Sequence, residues 1–283
     1  MPTAGLMNGT PLADQIFART TGRAADFSAR TGSQPCLATV IVGDDAASVT
    51  YVRMKENRSR RVGIDSRHTS LPADATTAEV VAAITRLSED GGVHGILLQH
   101  PSPPQVDEPA AFEAIAPGKD VDGVTMHSFA ALALGRPGFV ACTPGGILRL
   151  LDAYDVELSG ARAVVIGRSP ILGKPVGMLL LGRDATLTYC HSKTRDLPSI
   201  VRTADILVAA VGRPRFVRGD WLQSGAVVID AGYNPGNVGD VDFDEAIERA
   251  SLITPVPGGV GPMTIALLME QTVDAAFQQA GLA

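Results

Sequence analysis

The stretch AVVIGRSPILGKPVGMLLL, residues 163–181, is the first indication of the fold. It starts with a short apolar run, turns at Gly167, and continues from Gly173 as a helical pattern. In dinucleotide-binding folds, a glycine turn follows a strand and directs the first N–H groups of the next helix at the pyrophosphate of the ligand. The spacing is not G-x-G-x-x-G, so from this stretch alone an ordinary strand-to-helix turn is an equally good interpretation.

Apolar runs of strand length alternate with amphipathic helical patterns on both sides of this stretch. Such alternation predicts an α/β fold in which helices cover parallel sheets. We expect strands at Cys36–Val42, Val93–Leu98, Arg162–Ile166, Ala185–Tyr189, Ile206–Ala210 and Ala226–Ile229. We expect the longer helices at Asp14–Arg30, Val49–Arg61, Thr77–Glu89, Ile147–Tyr154, Ile171–Leu181 and Gly261–Gln279.

The alternation is interrupted at residues 101–140, which are rich in Pro, Gly and short helical pieces and contain no clear strand. We interpret this segment as a crossover between two α/β lobes. The predicted domains are residues 1–141, the first lobe, and residues 142–261, a Rossmann-type nucleotide-binding lobe. Residues 262–283 are expected to form a helix that returns to the first lobe and completes it.

Composition and charge exclude several classes of protein. The chain has 283 residues and a net charge of −6 without any run of Lys or Arg, which makes it a poor nucleic-acid binder. Its three cysteines, an odd number without CxxC spacing, argue against a disulfide framework and against a zinc site. No segment approaches the roughly 18 apolar residues of a membrane span, and we expect a cytoplasmic protein.

The strand after the glycine turn ends in CHSKT at 190–194, and this end bears on the choice of cofactor. A site for NAD usually places an acidic residue there to bind the ribose hydroxyls. Here His191, Ser192 and Lys193 follow the strand, and Arg168 lies in the first turn. A cationic, hydroxyl-rich end suits a 2′-phosphate, so we prefer NADP to NAD. The alternative is a solvated loop that happens to be basic.

Two further strand ends carry small-residue turns, around Gly212 and after Asp230. Ligands of open α/β sheets bind at the carboxyl edge of the strands, so these turns are candidates for the nicotinamide side.

The first lobe offers few ionisable groups in promising positions. Tyr51 and Lys55 lie four residues apart on a predicted helix and share a face, although spacing alone favours an ordinary exposed amphipathic helix. Gln99 follows a buried strand, where it is placed either to meet a ligand or to cap a loop. Asp120 and Asp122 in GKDVDG could hold a metal or cap the following helix. Since no third ligand is arranged nearby, we expect no metal.

The segment ITPVPGGVGPMT, residues 253–264, combines three prolines and three glycines before a helix. Prolines fix the backbone and glycines permit close approach, which suits a ligand wall. A purely structural link between the lobes is the alternative.

Together these segments resemble the methylenetetrahydrofolate dehydrogenase/methenyltetrahydrofolate cyclohydrolase family over almost the whole chain. The matching motifs, in order, are YVRMK at 51–55, QHPSPP at 99–104, KDVDG at 119–123, CTPGG at 142–146, VVIGRSPILGKP at 164–175, CHSKT at 190–194, GDW at 219–221 and PVPGGVGPMT at 255–264. The last motif is highly specific to the family, and eight motifs in the same order are not expected by chance.

The resemblance implies roles for individual residues. Lys55 would be the central catalytic group, Tyr51 would position the folate ring, Gln99 would tune Lys55, and Asp122 would bind the N–H groups of the pterin. Pro257, Gly258 and Gly259 would wall the folate pocket. The cofactor would be NADP, held by residues of the nucleotide-binding lobe: Gly167, Arg168, Ser169, Gly173, Pro175, His191, Ser192, Gly212 and Thr264.

The activity that the resemblance implies is oxidation of 5,10-methylenetetrahydrofolate and hydrolysis of the methenyl product to 10-formyltetrahydrofolate, in one pocket shared by the lobes. The resemblance also implies a homodimer and tetrahydrofolate derivatives as ligands. Lys55 can take a proton from water only in its neutral form, which burial beside a cationic intermediate would favour.

The chain departs from the family pattern at Asn57, His100 and Ser102, and in VTMHS at 124–128, which follows VDG. These departures motivate one alternative, a dehydrogenase with weak or absent cyclohydrolase activity. A catalytically idle NADP- or folate-binding protein and a different Rossmann enzyme, such as a shikimate dehydrogenase, are further alternatives.

Overall fold

The computed structural model describes residues 4–44 and 46–282, without the side chains of residues 46–53. Within these residues all strand pairings are parallel, and they form one six-stranded and one three-stranded sheet. The strands are β1 Gly5–Leu6, β2 Cys36–Val42, β3 Asp65–Leu71, β4 Gly95–Leu98, β5 Arg162–Ile166, β6 Thr186–Cys190, β7 Ile206–Ala209, β8 Val227–Asp230 and β9 Leu252–Ile253. The predicted α/β class with parallel sheets is confirmed.

The helices lie between the strands as the alternation predicts. They are α1 Thr10–Thr31, α2 Ala46–Arg61, α3 Thr77–Glu89, α4 Glu108–Glu113, α5 Met126–Ala133, α6 Cys142–Ala153, α7 Gly173–Leu181, α8 Leu197–Val201, α9 Phe243–Ala246 and α10 Val260–Gln279. The crossover at residues 101–140 contains only short helical pieces, α4 and α5 among them, and no strand.

The chain folds into two compact units. The six-stranded unit holds the described residues up to Asp14 together with Leu132–Arg136 and Ala141–Thr264. The three-stranded unit holds Gln15–Ala131, Pro137–Val140 and the described residues from Ile265 onward. The domain bounds expected from the sequence stay a prediction.

The three-stranded unit has the strand order β3-β2-β4. Every residue of β2 and β4 is buried, as expected for parallel strands covered on both faces. The second half of α10 packs on this sheet unit: the Gln271 side chain donates to the carbonyls of Val121 and Val140, at 2.8 and 2.9 Å. The C-terminal helix therefore returns to the first lobe as predicted.

The six-stranded unit has the order β1-β9-β8-β7-β5-β6. The chain runs from β5 to β6 on one side and then crosses back to place β7 on the other side of β5. Such a reversal leaves a crevice at the carboxyl ends of the two strands that flank it, where ligands of doubly wound sheets bind. This switch point lies between β5 and β7.

Candidate functional site

Lys55 lies on α2, where it is half-buried, and its ammonium donates to Oε1 of Gln99 at 3.0 Å. The backbone N–H of Gln99 continues the sheet by donating to the Val40 carbonyl at 2.8 Å. The side-chain Nε2 of Gln99 donates to the His100 carbonyl, also at 2.8 Å, which fixes the direction of the amide. The structure thus brings together two predicted residues that are 44 positions apart. The side chain of Tyr51 lies outside the described part of the chain.

The two unusual residues beside Gln99 are packed within the same unit. The His100 ring meets the Phe112 ring edge-on, with 6.3 Å between the centroids. The Ser102 N–H donates to the Glu108 carboxylate. The side chain of Asn57 is exposed on α2.

Asp120 is completely buried and acts as a cap, one of the two roles considered from the sequence. Its carboxylate accepts from the N–H groups of Val124 and Thr125, both at 3.0 Å, and from the hydroxyls of Thr125 and Ser128. Asp122, two residues on, is half-buried. Asp120 therefore fixes the turn from which the Asp122 side chain projects.

The glycine turn after β5 is tightly closed. A Cβ at Gly173 would come within 2.5 Å of the Gly167 carbonyl carbon, so the helix start and the strand end meet at a distance that only glycine allows. The Ser169 hydroxyl accepts from the N–H groups of Leu172 and Gly173, both at 3.2 Å, and so caps the first turn of α7. Pro175 is buried in that turn.

The end of β6 forms a second tight turn in the same unit. The His191 N–H donates to the Thr194 hydroxyl at 2.8 Å, and the Lys193 N–H donates to Nδ1 of His191 at 3.1 Å. The neutral imidazole therefore carries its proton on Nε2. Arg168 and Ser192 are exposed, and within the described ranges the Arg168 guanidinium forms no ion pair.

These features fit NADP. The glycine cradle admits a pyrophosphate at close range, and the exposed Arg168 with the hydroxyl and imidazole of the β6 turn suits the 2′-phosphate. No acidic residue occupies the end of β6, where a free ribose diol would need one.

The remaining predicted residues also belong to the six-stranded unit. Gly212 is exposed after β7 with a φ of 63°. The hydroxyl of Thr264 meets that of Thr143 at 3.0 Å. The loop with Pro257, Gly258 and Gly259 is tied down by a hydrogen bond from the Gly9 N–H to the Gly258 carbonyl at 2.9 Å. Lys55, Gln99 and Asp122 belong to the three-stranded unit.

Sequence reasoning does not single out Asp240, which is fully buried at the carboxyl edge of the six-stranded sheet and accepts four hydrogen bonds. In the sequence, Asp240 stands between Gly239 and Val241. This pattern does not indicate a buried acid, since Gly-Asp pairs are common in exposed turns.

The described part of the chain offers neither a metal-binding cluster nor a membrane-crossing helix. No group of three or more His, Cys, Asp or Glu side chains in that part is arranged to hold a metal ion. None of the helices described there has the length and apolar character needed to cross a bilayer.

Comparisons with known proteins agree over the whole chain. Residues 7–122 match the catalytic domain of tetrahydrofolate dehydrogenase/cyclohydrolase, and residues 141–280 match its NAD(P)-binding domain. The bifunctional protein FolD 1 of Streptomyces avermitilis is 68% identical over 280 residues, covering 99% of this chain and 98% of its own.

Solved structures also match this chain over almost its whole length. The FolD enzyme of Campylobacter jejuni superposes with a TM-score of 0.94 at 41% identity, covering 97% of this chain and 99% of its own. The Trypanosoma brucei enzyme, solved with NADP and an inhibitor, has a TM-score of 0.94 at 39% identity and covers all of both chains. The chain belongs to the tetrahydrofolate dehydrogenase/cyclohydrolase family.

Proposed function

We propose that this protein oxidises 5,10-methylenetetrahydrofolate with NADP⁺ and then hydrolyses the 5,10-methenyl product to 10-formyltetrahydrofolate. The observation that carries the proposal is the Lys55–Gln99 hydrogen bond of 3.0 Å, in a chain that belongs to this family throughout its length. NADP⁺ supplies the acceptor for the hydride that leaves the methylene carbon.

Lys55 and Gln99 serve the water step. Water adds its oxygen to the methenyl carbon, the C–N bond to N5 breaks, and one proton is released for each molecule hydrolysed. Lys55 accepts or directs that proton, and Gln99 holds the ammonium or amine group in place through its carbonyl oxygen. Because Nε2 of Gln99 is already bound to the His100 carbonyl, the amide cannot flip without losing a hydrogen bond.

The two domains that we propose are a folate-binding domain of residues 1–141 completed by 262–283, and an NADP-binding domain of residues 142–261. Tyr51 positions the folate ring, and Asp122 accepts from the N–H donors of the pterin. Pro257, Gly258 and Gly259 form a wall for the ligand. The capping of the turn by Asp120 supports a fixed position for Asp122.

The cofactor is held by the turns at the carboxyl edge of the six-stranded sheet. Gly167, Gly173 and Pro175 shape the cradle for the pyrophosphate, and Ser169 caps the helix that begins there. Arg168, His191 and Ser192 recognise the 2′-phosphate. Gly212 and Thr264 complete the site.

We also propose a cytoplasmic homodimer. All three cysteines are buried thiols, which suits a reducing compartment. Gel filtration at micromolar concentration is expected to give about twice the monomer mass of 29.4 kDa, and a monomer mass would reject the dimer.

The function is tested with the purified protein, 5,10-methylenetetrahydrofolate and NADP⁺. NADPH and the methenyl compound are followed together by absorbance, and hydrolysis is followed separately from added methenyl compound. Lys55→Gln is compared with Arg61→Gln, which removes an exposed positive charge from the same helix.

We expect the native protein and Arg61→Gln to form NADPH without build-up of the methenyl compound. Lys55→Gln is expected to let it accumulate. Build-up in the native protein would instead indicate a dehydrogenase with weak hydrolysis, and no NADPH with either NADP⁺ or NAD⁺ would reject the enzymatic function.

A further inference from the structure

The loop after β7, residues 210–213, lies beside the glycine turn at the switch point of the six-stranded sheet. The Ala210 N–H donates to the Ile166 carbonyl at 2.8 Å. A Cβ at Gly167 would overlap the Ala210 carbonyl oxygen. The loop is therefore one wall of the crevice in which doubly wound sheets bind their ligands.

Three consecutive N–H groups of this loop converge on a single carboxylate. Asp240 accepts from Val211 at 2.6 Å, from Gly212 at 2.9 Å and from Arg213 at 2.9 Å. A fourth hydrogen bond, of 3.0 Å, comes from the side-chain amide of Asn234. Asp240 is 0% exposed, so these donors take the place of water around its charge.

A second buried carboxylate holds Asp240 in place. Asp230, at the end of β8, accepts from the N–H groups of Gly232, Asp240 and Val241, at 2.9, 2.8 and 2.9 Å. These bonds close the segment 231–241 into a loop on top of the sheet. Burial, with the Asp240 carboxylate adding to it, raises the pKa of Asp230 to about 6.

The glycines next to the two acids leave no room for a side chain at their own positions. A Cβ at Gly239 would overlap the Asp230 carboxylate, and a Cβ at Gly232 would overlap that of Asp240. Placing two carboxylates here costs desolvation free energy that an apolar turn would avoid. Stability of the fold alone therefore does not explain why the carboxylates of Asp230 and Asp240 are both buried here.

The geometry gives the loop a defined outer face. In a trans peptide the C=O points away from the N–H of the next residue. Because the N–H groups of Val211, Gly212 and Arg213 point at Asp240, the carbonyls of Ala210, Val211 and Gly212 point away from it. A row of carbonyl oxygens suits a cationic pyridinium ring and a carboxamide donor, and is unsuited to phosphate.

We propose that Asp240 is a positioning residue for the cofactor: it holds the carbonyls of residues 210–212 toward the nicotinamide half of NADP⁺. This inference rests on the proposed function. Asp240 itself touches neither cofactor nor substrate, and acts only through the loop after β7.

The test compares binding of NADP⁺ with binding of adenosine 2′,5′-bisphosphate, which lacks the nicotinamide half. Dissociation constants are measured by calorimetry for the native protein, Asp240→Asn and Asp205→Asn. In Asp240→Asn one oxygen becomes an NH₂ group, so two of the four donors lose their acceptor. Asp205 is the matched control, because its carboxylate also accepts backbone and side-chain hydrogen bonds in the same unit but lies at the start of β7.

We expect Asp240→Asn to bind NADP⁺ about tenfold more weakly, the effect of losing one or two hydrogen bonds, and to bind the bisphosphate with unchanged affinity. The KM for NADP⁺ rises by the same factor and the KM for the folate substrate does not. Asp205→Asn changes neither affinity. Asn234→Ala, which removes one donor and keeps the carboxylate, gives the same selective loss at about two- to threefold and serves if Asp240→Asn does not fold.

Equal weakening of both ligands, or no weakening of either, would overturn the inference. Native protein that binds neither ligand would instead reject the proposed function, so the two failures are distinguishable.

Discussion

At the scale of single residues, the contact between Lys55 and Gln99 joins a cation to a neutral amide. Its oxygen accepts from the Lys55 ammonium at 3.0 Å, and its nitrogen is fixed on the His100 carbonyl. A neutral acceptor orients the lysine without adding a negative charge beside it. An enzyme that needs this lysine neutral for part of its cycle gains from an amide at this position rather than a carboxylate.

Gln99→Glu tests that argument. A carboxylate about 3 Å from Nζ stabilises the charged ammonium, and such pairs shift a titration by roughly one to three pH units. We expect hydrolysis of the methenyl compound at pH 7 to fall at least tenfold, and its pH–rate profile to move to higher pH by about that amount. Initial rates from pH 6 to pH 10 give the measurement.

Gln99→Met is the control, because it removes the hydrogen bond without adding charge. Its profile is expected to lose amplitude and keep its position on the pH axis. Identical profiles for the Glu and Met variants would mean that charge at residue 99 does not govern Lys55.

At the scale of elements, sequence patterns predict strands with apolar side chains well and polar strands badly. The runs that form β2, β5 and β7 are almost wholly apolar because helices cover both faces of parallel sheets. Strand β3, Asp65–Leu71, is absent from the strands that the sequence predicts. Its sequence DSRHTSL is polar and largely exposed, and it is a strand because seven of its residues pair with β2. Backbone hydrogen bonds to a neighbouring strand do not require apolar side chains, so such a strand cannot be recognised from the hydrophobic pattern of the sequence.

The same limit applies to the candidate site. Motifs place Gln99 at a strand end and Lys55 on a helix, but their contact joins elements 44 residues apart and becomes visible only in the fold. The sequence marks Asp230 only as part of a strand end and does not mark Asp240 at all, because their common role depends on hydrogen bonds within and between two loops, residues 210–213 and 231–241. Residue spacing reflects local structure. It therefore does not predict hydrogen bonds between loops that are distant in the sequence.

The ion pair of Arg162 with Asp205 links the starts of β5 and β7 at the amino edge of the sheet. The Asp205 carboxylate accepts from the Arg162 guanidinium at 2.8 and 3.0 Å and from the Arg162 N–H at 2.9 Å, and these bonds hold its pKa well below the usual range. Since the pair is partly exposed, we expect Asp205→Asn to cost only about 1 kcal/mol of unfolding free energy at pH 7.

A lowered folded-state pKa fixes the pH dependence of this contribution. The stabilisation is fully present above the unfolded value of 3.8 and is lost as the pH falls below it. Urea unfolding at pH 7, 4 and 2.5 should therefore show the native protein and Asp205→Asn converging in acid. Asp220→Asn, at an exposed aspartate of the same unit, is expected to differ little from the native protein at any pH. A difference that persists undiminished at pH 2.5 would contradict the electrostatic origin.

At the scale of the whole molecule, each unit has its own sheet, and the chain passes between the units more than once. The helix α1 contributes its first residues, up to Asp14, to the six-stranded unit and the rest to the three-stranded unit, and α10 is divided after Thr264. The family models divide the chain differently, at residues 7–122 and 141–280, because they follow sequence order. Segments distant in sequence thus complete each unit, which argues against testing either half as an isolated fragment.

Ligand linkage provides a test on the intact chain. A ligand at 100 times its dissociation constant stabilises the folded state by about 2.7 kcal/mol, which corresponds to a rise in Tm of roughly 4–5 °C for a protein of this size. We expect saturating NADP⁺ to raise the Tm by that amount, and NAD⁺ at the same concentration to raise it much less. Arg168 and Ser192 are exposed and suited to the 2′-phosphate, which NAD⁺ lacks.

Arg168→Ala separates recognition of the 2′-phosphate from general nucleotide binding. Because the Arg168 side chain is exposed and within the described residues forms no ion pair, its removal is expected to leave the Tm of the free protein unchanged. The extra stabilisation by NADP⁺ over NAD⁺ should then shrink, while the stabilisation by NAD⁺ stays as in the native protein. If both nucleotides stabilise the native protein equally, the cationic turn does not recognise the 2′-phosphate, and the protein does not prefer NADP⁺ to NAD⁺.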